Sequence, residues 1–296
     1  MDTNVKGRML EQISSEGALD VEAIRAAGSP VTVRDLTDDE CAFYWEHGWV
    51  SLPQLISEES AGILLAEAQR MQAQAEALAA PAYQAKTRTI WGAPALTNPV
   101  FASVCCSVEL GTAAARLMSS PIFGPRQARR SYDALQLKGP ASDGGTRTPW
   151  HQDFPAFPLD RAGMMVFWIA LVPLTPDMGT LRFVDHSNKM GVLGNFNEFD
   201  GEDLVDRYPG ILDQGEVVGG LSLRPGDATA HDTMTVHSAP ANTSDRGRWV
   251  YSPSYFPADA QYTGAPHPRF GNIDLPVNEP IDHPLFPVIG DFPAAK

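Results

Sequence analysis

Apolar residues in the first 35 positions recur at loosely helical intervals, namely at Leu10, Ile13, Ala18, Val21 and Ile24. Gly28-Ser29-Pro30 interrupts this pattern, so we predict one or two short helices before it. Thr37 and Glu40 then have the spacing of a capping box, in which each side chain bonds the backbone of the other residue. We expect a helix over residues 42–47 to follow.

Residues 49–52 form a predicted strand, and Ser57-Glu58-Glu59 supplies the acidic first turn of an Ala-rich helix that should run to about residue 80. Beyond Pro121 the pattern changes to short alternating runs separated by Gly and Pro, which is typical of an all-β sandwich or barrel. The predicted strands are residues 134–137, 165–171, 180–184, 220–223, 227–231, 235–239 and 249–256. A mainly β fold accounts for this order, namely a jelly roll (a double-stranded, cupin-like β-helix) with flanking N-terminal α-helices.

The length of 296 residues lies within the range that one large β-rich domain can occupy. A hydrophobic fraction of 43% is enough for a substantial core, so disorder of the whole chain is not expected. We predict that residues 1–35 form a helical extension and that residues 36–296 form a single catalytic domain. The jelly-roll core should occupy about residues 121–260.

The formal charge of −14 and a sequence pI near 4.8 mean that the average surface repels phosphate backbones and anionic lipids. Apolar runs are broken well short of the ~20 residues that span a bilayer. We therefore expect a small-molecule substrate and neither a nucleic-acid nor a membrane partner. A homodimer is an expectation that the sequence leaves open.

The chain has three cysteines, of which Cys105 and Cys106 are adjacent and poorly placed for a disulfide bridge. Cys41 is left over, which favours a reducing compartment. The first ten residues lack the basic-then-apolar plan of a signal peptide. These features predict a cytoplasmic protein.

The strongest chemical feature is Trp150-His151-Gln152-Asp153. Residues i and i+2 of a strand project from the same face, so His151 and Asp153 can bind one metal ion. Octahedral Fe(II) that must also accept a co-substrate and dioxygen needs one further protein ligand and three open positions. A later histidine must therefore supply the third ligand. An H-x-D triplet is common by chance, so the motif alone is weak evidence for a metal site.

His237 is the best candidate for that third ligand, because it ends an apolar strand and precedes a polar turn. A hairpin would return Arg248 beside it. Arginine suits the remote carboxylate of a keto-diacid, since its planar fork offers two charge-assisted hydrogen bonds. Arg246 could take this place, but strand alternation favours Arg248.

The order of these motifs resembles the phytanoyl-CoA dioxygenase family along most of the chain. The matching features are H-x-D at 151–153, Gly179-Thr180-Leu181-Arg182-Phe183-Val184, Gly226-Asp227, and His237 with Asn242 and Arg248. The predicted helix before Gly48-Trp49-Val50 is similar to that family's N-terminal pattern.

The resemblance implies a non-haem Fe(II), 2-oxoglutarate-dependent dioxygenase that consumes O2. It implies that the catalytic iron ligands are His151, Asp153 and His237 and that Arg248 anchors 2-oxoglutarate. Gln136 and Trp168 match family positions that line the co-substrate pocket.

The chain also departs from the family pattern. It has Asp185-His186-Ser187-Asn188 where many relatives carry Pro-Gly-Ser-His, and it has Ala239 where a polar residue often lies two positions beyond the distal histidine. Asp153 distinguishes subtypes, because iron halogenases of related folds carry a small residue there. Halogenation is therefore disfavoured.

Several residues near these motifs have two interpretations. His231 lies six residues before His237, and a turn at Asp232-Thr233 should separate them, so we predict a core or supporting residue, with metal ligation as the minor alternative. Phe154 and Phe157 are the best candidates for an apolar substrate pocket, although aromatic residues are more often plain core. A basic cluster should balance the surrounding acid, and it consists of Arg126, Arg129 and Arg130. Three histidines are expected in loops, namely His186, His267 and His283.

The expected reaction oxidises a C–H bond of a small, largely apolar metabolite, as in natural-product tailoring, and releases succinate and CO2. Hydroxylation is the default outcome, with desaturation or ring rearrangement as variants of the same chemistry. Acyl-CoA is less favoured, because an acidic chain with one small Arg cluster offers little to attract its phosphates. The rival hypotheses are a jelly-roll hydrolase or isomerase that uses no keto-acid and a non-catalytic cupin-like binding protein.

Overall fold

Two antiparallel β-sheets form the centre of the fold in a computed structural model that describes residues 19–77, 83–85, 88–122, 124–143, 147–194, 202–265 and 273–291. The strands are β1 Trp49–Leu52, β2 Tyr83–Ala85, β3 Arg88–Gly92, β4 Ala128–Lys138, β5 Thr148–His151, β6 Met165–Ala170, β7 Arg182–Val184, β8 Val217–Gly219, β9 Ala228–Asp232, β10 His237–Ala239, β11 Arg248–Pro257 and β12 Val288–Gly290. The larger sheet has the order β1-β9-β6-β11-β4-β3-β2, with β12 beside β4. The smaller sheet has the order β5-β10-β7-β8. This arrangement confirms the predicted jelly roll.

The helices precede or flank these sheets. They are α1 Val21–Ala26, α2 Asp38–His47, α3 Glu58–Ala77, α4 Pro99–Cys105, α5 Val108–Met118 and α6 Leu204–Arg207. Thr37 and Glu40 form the predicted capping box, with N–H···O distances of 3.1 and 2.8 Å. The pattern analysis missed α4 and α5, although Asn98 and Ser107 cap their first turns and were readable signals.

The larger sheet is buried on both faces. Its outer face packs Phe167, Tyr251 and Tyr255 against Phe101 of α4 and Leu110 of α5. The inner face packs against the smaller sheet through a second cluster that contains Trp49, Trp168, Leu181, Phe183 and Val250. The molecule is therefore a sandwich of two sheets with a helical layer outside the larger one.

Strands from outside residues 121–260 join the larger sheet. β1, β2, β3 and β12 all do so, and β1 pairs with β9 through Trp49 and His231. Residues 1–18 of the predicted extension lie outside the described residues. The division into residues 1–35 and 36–296 stays a prediction.

In the part of the chain that the structure describes, no single helix is long and apolar enough to cross a membrane. Helices α4 and α5 reach the length and apolar composition of a membrane span only when taken together, and the chain bends by 40° between them.

Candidate active site

The three predicted metal ligands come together at the end of the smaller sheet. His151 ends β5 and His237 begins β10, and these two residues are direct cross-strand partners. Their ring centroids lie 4.2 Å apart. Asp153 is not on the strand as expected; it precedes a 3-10 turn at residues 154–156 that contains Pro155. That turn, rather than strand alternation, brings the carboxylate beside both histidines.

One ligand atom from each of these residues lies within 4.8 Å of the others. His151 Nε2 is 3.5 Å from Asp153 Oδ1, and His237 Nε2 is 3.8 Å from Asp153 Oδ2. Both imidazole rings are buried, whereas the carboxylate is partly exposed. The spacing suits three ligands of one ion.

Backbone hydrogen bonds determine which nitrogen of each imidazole ring carries no proton. His151 Nδ1 lies 2.8 Å from the Pro149 carbonyl and His237 Nδ1 lies 3.0 Å from the Thr235 carbonyl. A carbonyl only accepts, so each Nδ1 carries the proton and each Nε2 keeps its lone pair. The two unprotonated Nε2 atoms and the Asp153 carboxylate oxygens therefore point at one another, and all of these atoms are hydrogen-bond acceptors. Such a group repels itself unless a cation lies between its members, and two imidazoles with one carboxylate suit Fe(II).

The protonation of the site agrees with this role. Burial, reinforced by the neighbouring His151 and His231, holds the pKa of His237 well below its usual range, so this ring is neutral near pH 7. Burial alone would raise the pKa of Asp153, but the adjacent His237, His151 and His231 hold it well below its usual range. The carboxyl is therefore ionised.

A fourth histidine adjoins the group. The His231 ring centroid lies 4.4 Å from that of His237, and its Nε2 lies 3.5 Å from Asp153 Oδ2. It is buried, and neither ring nitrogen has a hydrogen-bond partner within the described part of the chain. The predicted turn between the two histidines is present, because the Thr235 N–H donates to the Asp232 carbonyl at 2.8 Å. His231 is thus a residue next to the site rather than remote core.

Arg248 is buried at the start of β11. Its guanidinium donates to the Gly179 carbonyl, and its central carbon lies 5.1 Å from the Trp168 ring centroid. Arg246 is exposed, as expected from alternation. Asn242 stabilises the turn before Arg248, because its amide donates to the Arg246 carbonyl at 2.6 Å.

The three predicted co-substrate residues share one face of the larger sheet. Arg248 and Val250 are two apart on β11 and point the same way. Val250 pairs with Gln136 on one side and with Ala170 on the other, and Trp168 is two residues before Ala170. Cross-strand partners project to the same face, so Arg248, Gln136 and Trp168 all face the smaller sheet.

The same register extends to His231, which lies beside the predicted metal ligands. Trp168 pairs with Thr229, and His231 lies two residues beyond Thr229 on β9. The inner face therefore connects the Arg248 end to the histidine end. This face also holds Thr229, which sequence reasoning missed and whose buried hydroxyl has no hydrogen-bond partner among the described residues. The buried hydroxyl of Thr180, which directly follows Gly179 in the segment before β7, has none there either.

The loop after β7 is tied to the metal motif by another residue that was missed. Gln152 is buried between the two ligands in sequence. Its amide nitrogen donates to the Gly191 carbonyl at 2.9 Å, and its amide oxygen accepts from Leu193 N–H at the same distance. A buried amide inside an H-x-D motif was the available signal.

Phe154 and Phe157 lie on the 3-10 turn after the metal motif and are partly buried. They pack against an apolar cluster formed by Leu159, Met164, Phe256, Ala260, Leu275, Ile281, Leu285 and Phe286. Their role in a substrate pocket stays a prediction.

The basic cluster is balanced internally. Arg130 pairs with the buried Asp133, and Arg129 pairs with Asp282 at 3.0 Å. Arg126 donates to a backbone carbonyl. His267 lies outside the described residues.

Residues 44–250 match the model of the phytanoyl-CoA dioxygenase (PhyH) family. The chain belongs to this family. It is therefore a non-haem iron dioxygenase that uses 2-oxoglutarate. No curated protein sequence matches the chain significantly.

Solved structures share this PhyH-family fold. The non-haem α-ketoglutarate-dependent carbocyclase SnoK from nogalamycin biosynthesis superposes with a TM-score of 0.70 at 24% identity, covering 88% of this chain and 100% of its own. The epimerase SnoN, in complex with Fe3+, α-ketoglutarate and nogalamycin RO, has a TM-score of 0.67 at 23% identity, with 85% and 98% covered. EctD from S. alaskensis, with 2-oxoglutarate and 5-hydroxyectoine, has a TM-score of 0.64 at 17% identity, with 86% and 88% covered.

Proposed function

We propose that His151, Asp153 and His237 hold the catalytic iron and that Arg248 anchors 2-oxoglutarate. The observation that carries this assignment is the convergence of acceptor atoms alone, with both Nδ1 protons used by backbone carbonyls. A hydrolytic or binding role for this group would not account for the buried arginine on the inner face of the larger sheet.

The protein's own groups orient and shield the reactants. With 2-oxoglutarate and O2, the bound iron supplies the oxidising chemistry that consumes both and releases succinate and CO2. The Pro149 and Thr235 carbonyls fix the two imidazoles with Nε2 toward the ion. Burial of both rings excludes water from the side facing the core.

Arg248 binds the remote carboxylate of the keto-acid in this proposal. Its guanidinium is held by the Gly179 carbonyl and by the Trp168 ring, so its planar fork is oriented before the ligand arrives. The buried Thr180 hydroxyl supplies a second donor, in place of the polar side chain that is absent at Ala239. Gln136 and Trp168 line the same pocket.

The substrate is a small, largely apolar metabolite of natural-product tailoring, and the default outcome is hydroxylation. Phe154 and Phe157 offer an apolar surface directly beside the metal motif. Arg129 and Arg130 are engaged with carboxylates, which disfavours recognition of the phosphates of an acyl-CoA. SnoK and SnoN, which share the fold, belong to nogalamycin biosynthesis.

We further propose a cytoplasmic enzyme, supported by the free, buried state of Cys41, Cys105 and Cys106. A homodimer remains part of the proposal.

The test is turnover by the full chain with Fe(II), 2-oxoglutarate and a panel of apolar metabolites, measured as succinate release. His151→Ala and Asp153→Ala should abolish release while circular dichroism shows an intact fold, and His283→Ala should leave release unchanged. Full activity in either ligand variant, or product formation without 2-oxoglutarate, would refute the assignment.

A further inference from the structure

A second cluster of metal-ligating side chains lies where α2 meets the loop after β7. One ligand atom from each of His47, Asp185 and His186 lies within 4.8 Å of the others. His47 Nδ1 is 2.9 Å and His186 Nε2 is 3.3 Å from Asp185 Oδ2. The two segments are joined by a backbone hydrogen bond from His186 N–H to the His47 carbonyl at 3.2 Å.

The hydrogen bond of His186 Nδ1 leaves the other ring nitrogen, Nε2, without a proton in the neutral ring. His186 Nδ1 lies 2.8 Å from the Glu46 carbonyl, which only accepts, so Nδ1 carries the proton. In the neutral ring, Nε2 therefore directs a lone pair at Asp185 Oδ2. Two acceptors at 3.3 Å repel each other, and a cation between them removes that repulsion.

The other partners of the cluster hold it in this arrangement. Trp49 Nε1 donates to Asp185 Oδ1 at 3.1 Å, and His47 Nδ1 lies 3.0 Å from Oδ1 and 2.9 Å from Oδ2. Oδ2 is therefore the oxygen shared by His47 and His186. The His47 ring stacks on Phe43 with centroids 4.0 Å apart. His186 itself has φ 59°, a left-handed conformation that a residue with a Cβ rarely adopts without a local reason.

We propose that His47, Asp185 and His186 form a second metal site that binds a divalent ion of the zinc type. Oxygen-to-nitrogen distances of 2.9 and 3.3 Å are close to the edge of about 3.3 Å expected for a tetrahedron with bonds of about 2.0 Å. The side chains are 27%, 12% and 42% exposed, so an ion can enter and water can complete the shell.

The electrostatic surroundings permit this site. Lys189 is a cation near the cluster, and its amine is 2.9 Å from Glu46 Oε1, which offsets its charge. The same Glu46 carboxylate lies 3.6 Å from His186 Nδ1 and adds negative potential.

The second site adjoins the wall of the active site. Trp49, which orients Asp185, stacks on Phe183 with centroids 5.0 Å apart. Phe183 in turn lies 5.6 Å from the His231 ring. An ion at this position would therefore stabilise the contact between α2, β1 and β7 behind the iron ligands.

The experiment measures the number of zinc ions per chain by elemental analysis. The metal-free full chain is first equilibrated with Zn²⁺ and passed through a desalting column. The wild type should retain two ions per chain, because zinc also occupies the iron site. His186→Gly and Asp185→Asn should each retain one, whereas His283→Ala should retain two. His151→Ala should also retain one, which separates failure of the second site from failure of the active-site assignment.

A second readout separates ion loss from unfolding. His186→Gly relieves the positive φ, so its melting temperature without metal should equal or exceed that of the wild type. Zn²⁺ should raise the melting temperature of His151→Ala, in which only the second site remains, and should leave the double variant His151→Ala/His186→Gly unchanged. Equal zinc content in the wild type and His186→Gly would overturn the proposal.

Discussion

Single residues determine the chemistry of this protein through the partners of their ring nitrogens and hydroxyls. His151 and His237 use the same device, in which Nδ1 donates to the carbonyl two residues earlier and Nε2 faces Asp153. His231 lacks such a partner, although its ring touches the same group. The functional difference between these histidines therefore lies in hydrogen bonding and not in burial.

Thr180→Val tests the second donor to the keto-acid. The buried hydroxyl has no protein partner, so its removal should leave folding intact but raise the Kd for 2-oxoglutarate by roughly 5- to 10-fold, the equivalent of about 1–1.5 kcal/mol for one lost hydrogen bond. Anaerobic titration of the Fe(II) enzyme measures this Kd. Thr243→Val, at an exposed turn, is the matched control, and an unchanged Kd in Thr180→Val would remove Thr180 from the pocket.

His231→Leu tests whether this ring orients Asp153. His231 Nε2 lies 3.5 Å from Asp153 Oδ2, so a donor there would hold the carboxylate in the geometry that the ion needs. We expect the Kd for Fe(II) to rise about 10-fold in competition with a chelator, and His231→Gln to recover part of the loss. The same Kd in all three proteins would show that His231 only fills space.

Asp232 should make stability depend on pH in the direction opposite to most acids. Burial raises its pKa to about 6, above the ordinary value of 3.8 for an aspartic acid, although the Met234 N–H and Arg126 favour ionisation. The folded state therefore binds this proton more tightly than the unfolded state, so its contribution is present below pH 3.8 and is lost as pH rises through 6. Between pH 5 and 8, the melting temperature of Asp232→Asn should increase relative to that of the wild type as pH rises. The melting temperature of the exposed control Asp213→Asn should differ from that of the wild type by a constant amount over this range. A parallel profile for Asp232→Asn would contradict this account.

At the scale of elements, the turn at Gly179 before β7 contacts both the loop after β10 and the Arg248 guanidinium. Gly179 has φ 76°, and a Cβ there would lie 2.1 Å from the Pro240 carbonyl oxygen. Its own carbonyl accepts from Arg248. A substitution at this glycine must move either the turn or the loop after β10.

Gly179→Ala should therefore lower the free energy of unfolding by about 2–4 kcal/mol, because strain and a backbone clash add. Urea denaturation followed by circular dichroism measures the change. Gly210→Ala is the control, since φ there is negative and nothing lies within 4 Å of the added Cβ. Equal stability of the two variants would mean that the turn is free to shift.

Local signals predicted some of these elements, and long-range register determined the rest. The capping box of Thr37 and Glu40 located α2, and the H-x-D motif located two of the converging side chains. The face of His231 depends on its pairing with Trp49, which is 182 positions earlier in the chain (231 − 49), so no local pattern could assign it. The strands β2 and β3 were missed because tertiary packing outweighs their weak local pattern, whereas α4 and α5 were missed although Asn98 and Ser107 cap them.

At the scale of the whole molecule, the sandwich brings residues that are distant in the chain to its interior. Arg248 on β11, Trp168 on β6 and His231 on β9 share the inner face of the larger sheet, and the smaller sheet supplies His151 and His237. A formal charge of −14 surrounds this interior. In the proposed function, the buried arginine is a local positive site for a dianionic keto-acid inside an acidic protein.

The most direct measurement is an anaerobic titration of the full chain with Fe(II) and 2-oxoglutarate, recorded as the weak visible charge-transfer band of a chelated keto-acid. The account predicts a band in the wild type, the same band in the exposed Arg246→Ala, and a band in Arg248→Ala that needs at least about 10-fold more 2-oxoglutarate, since a charge-assisted pair is lost. Absence of the band with iron demonstrably bound, or equal titrations for Arg248→Ala and wild type, would contradict it.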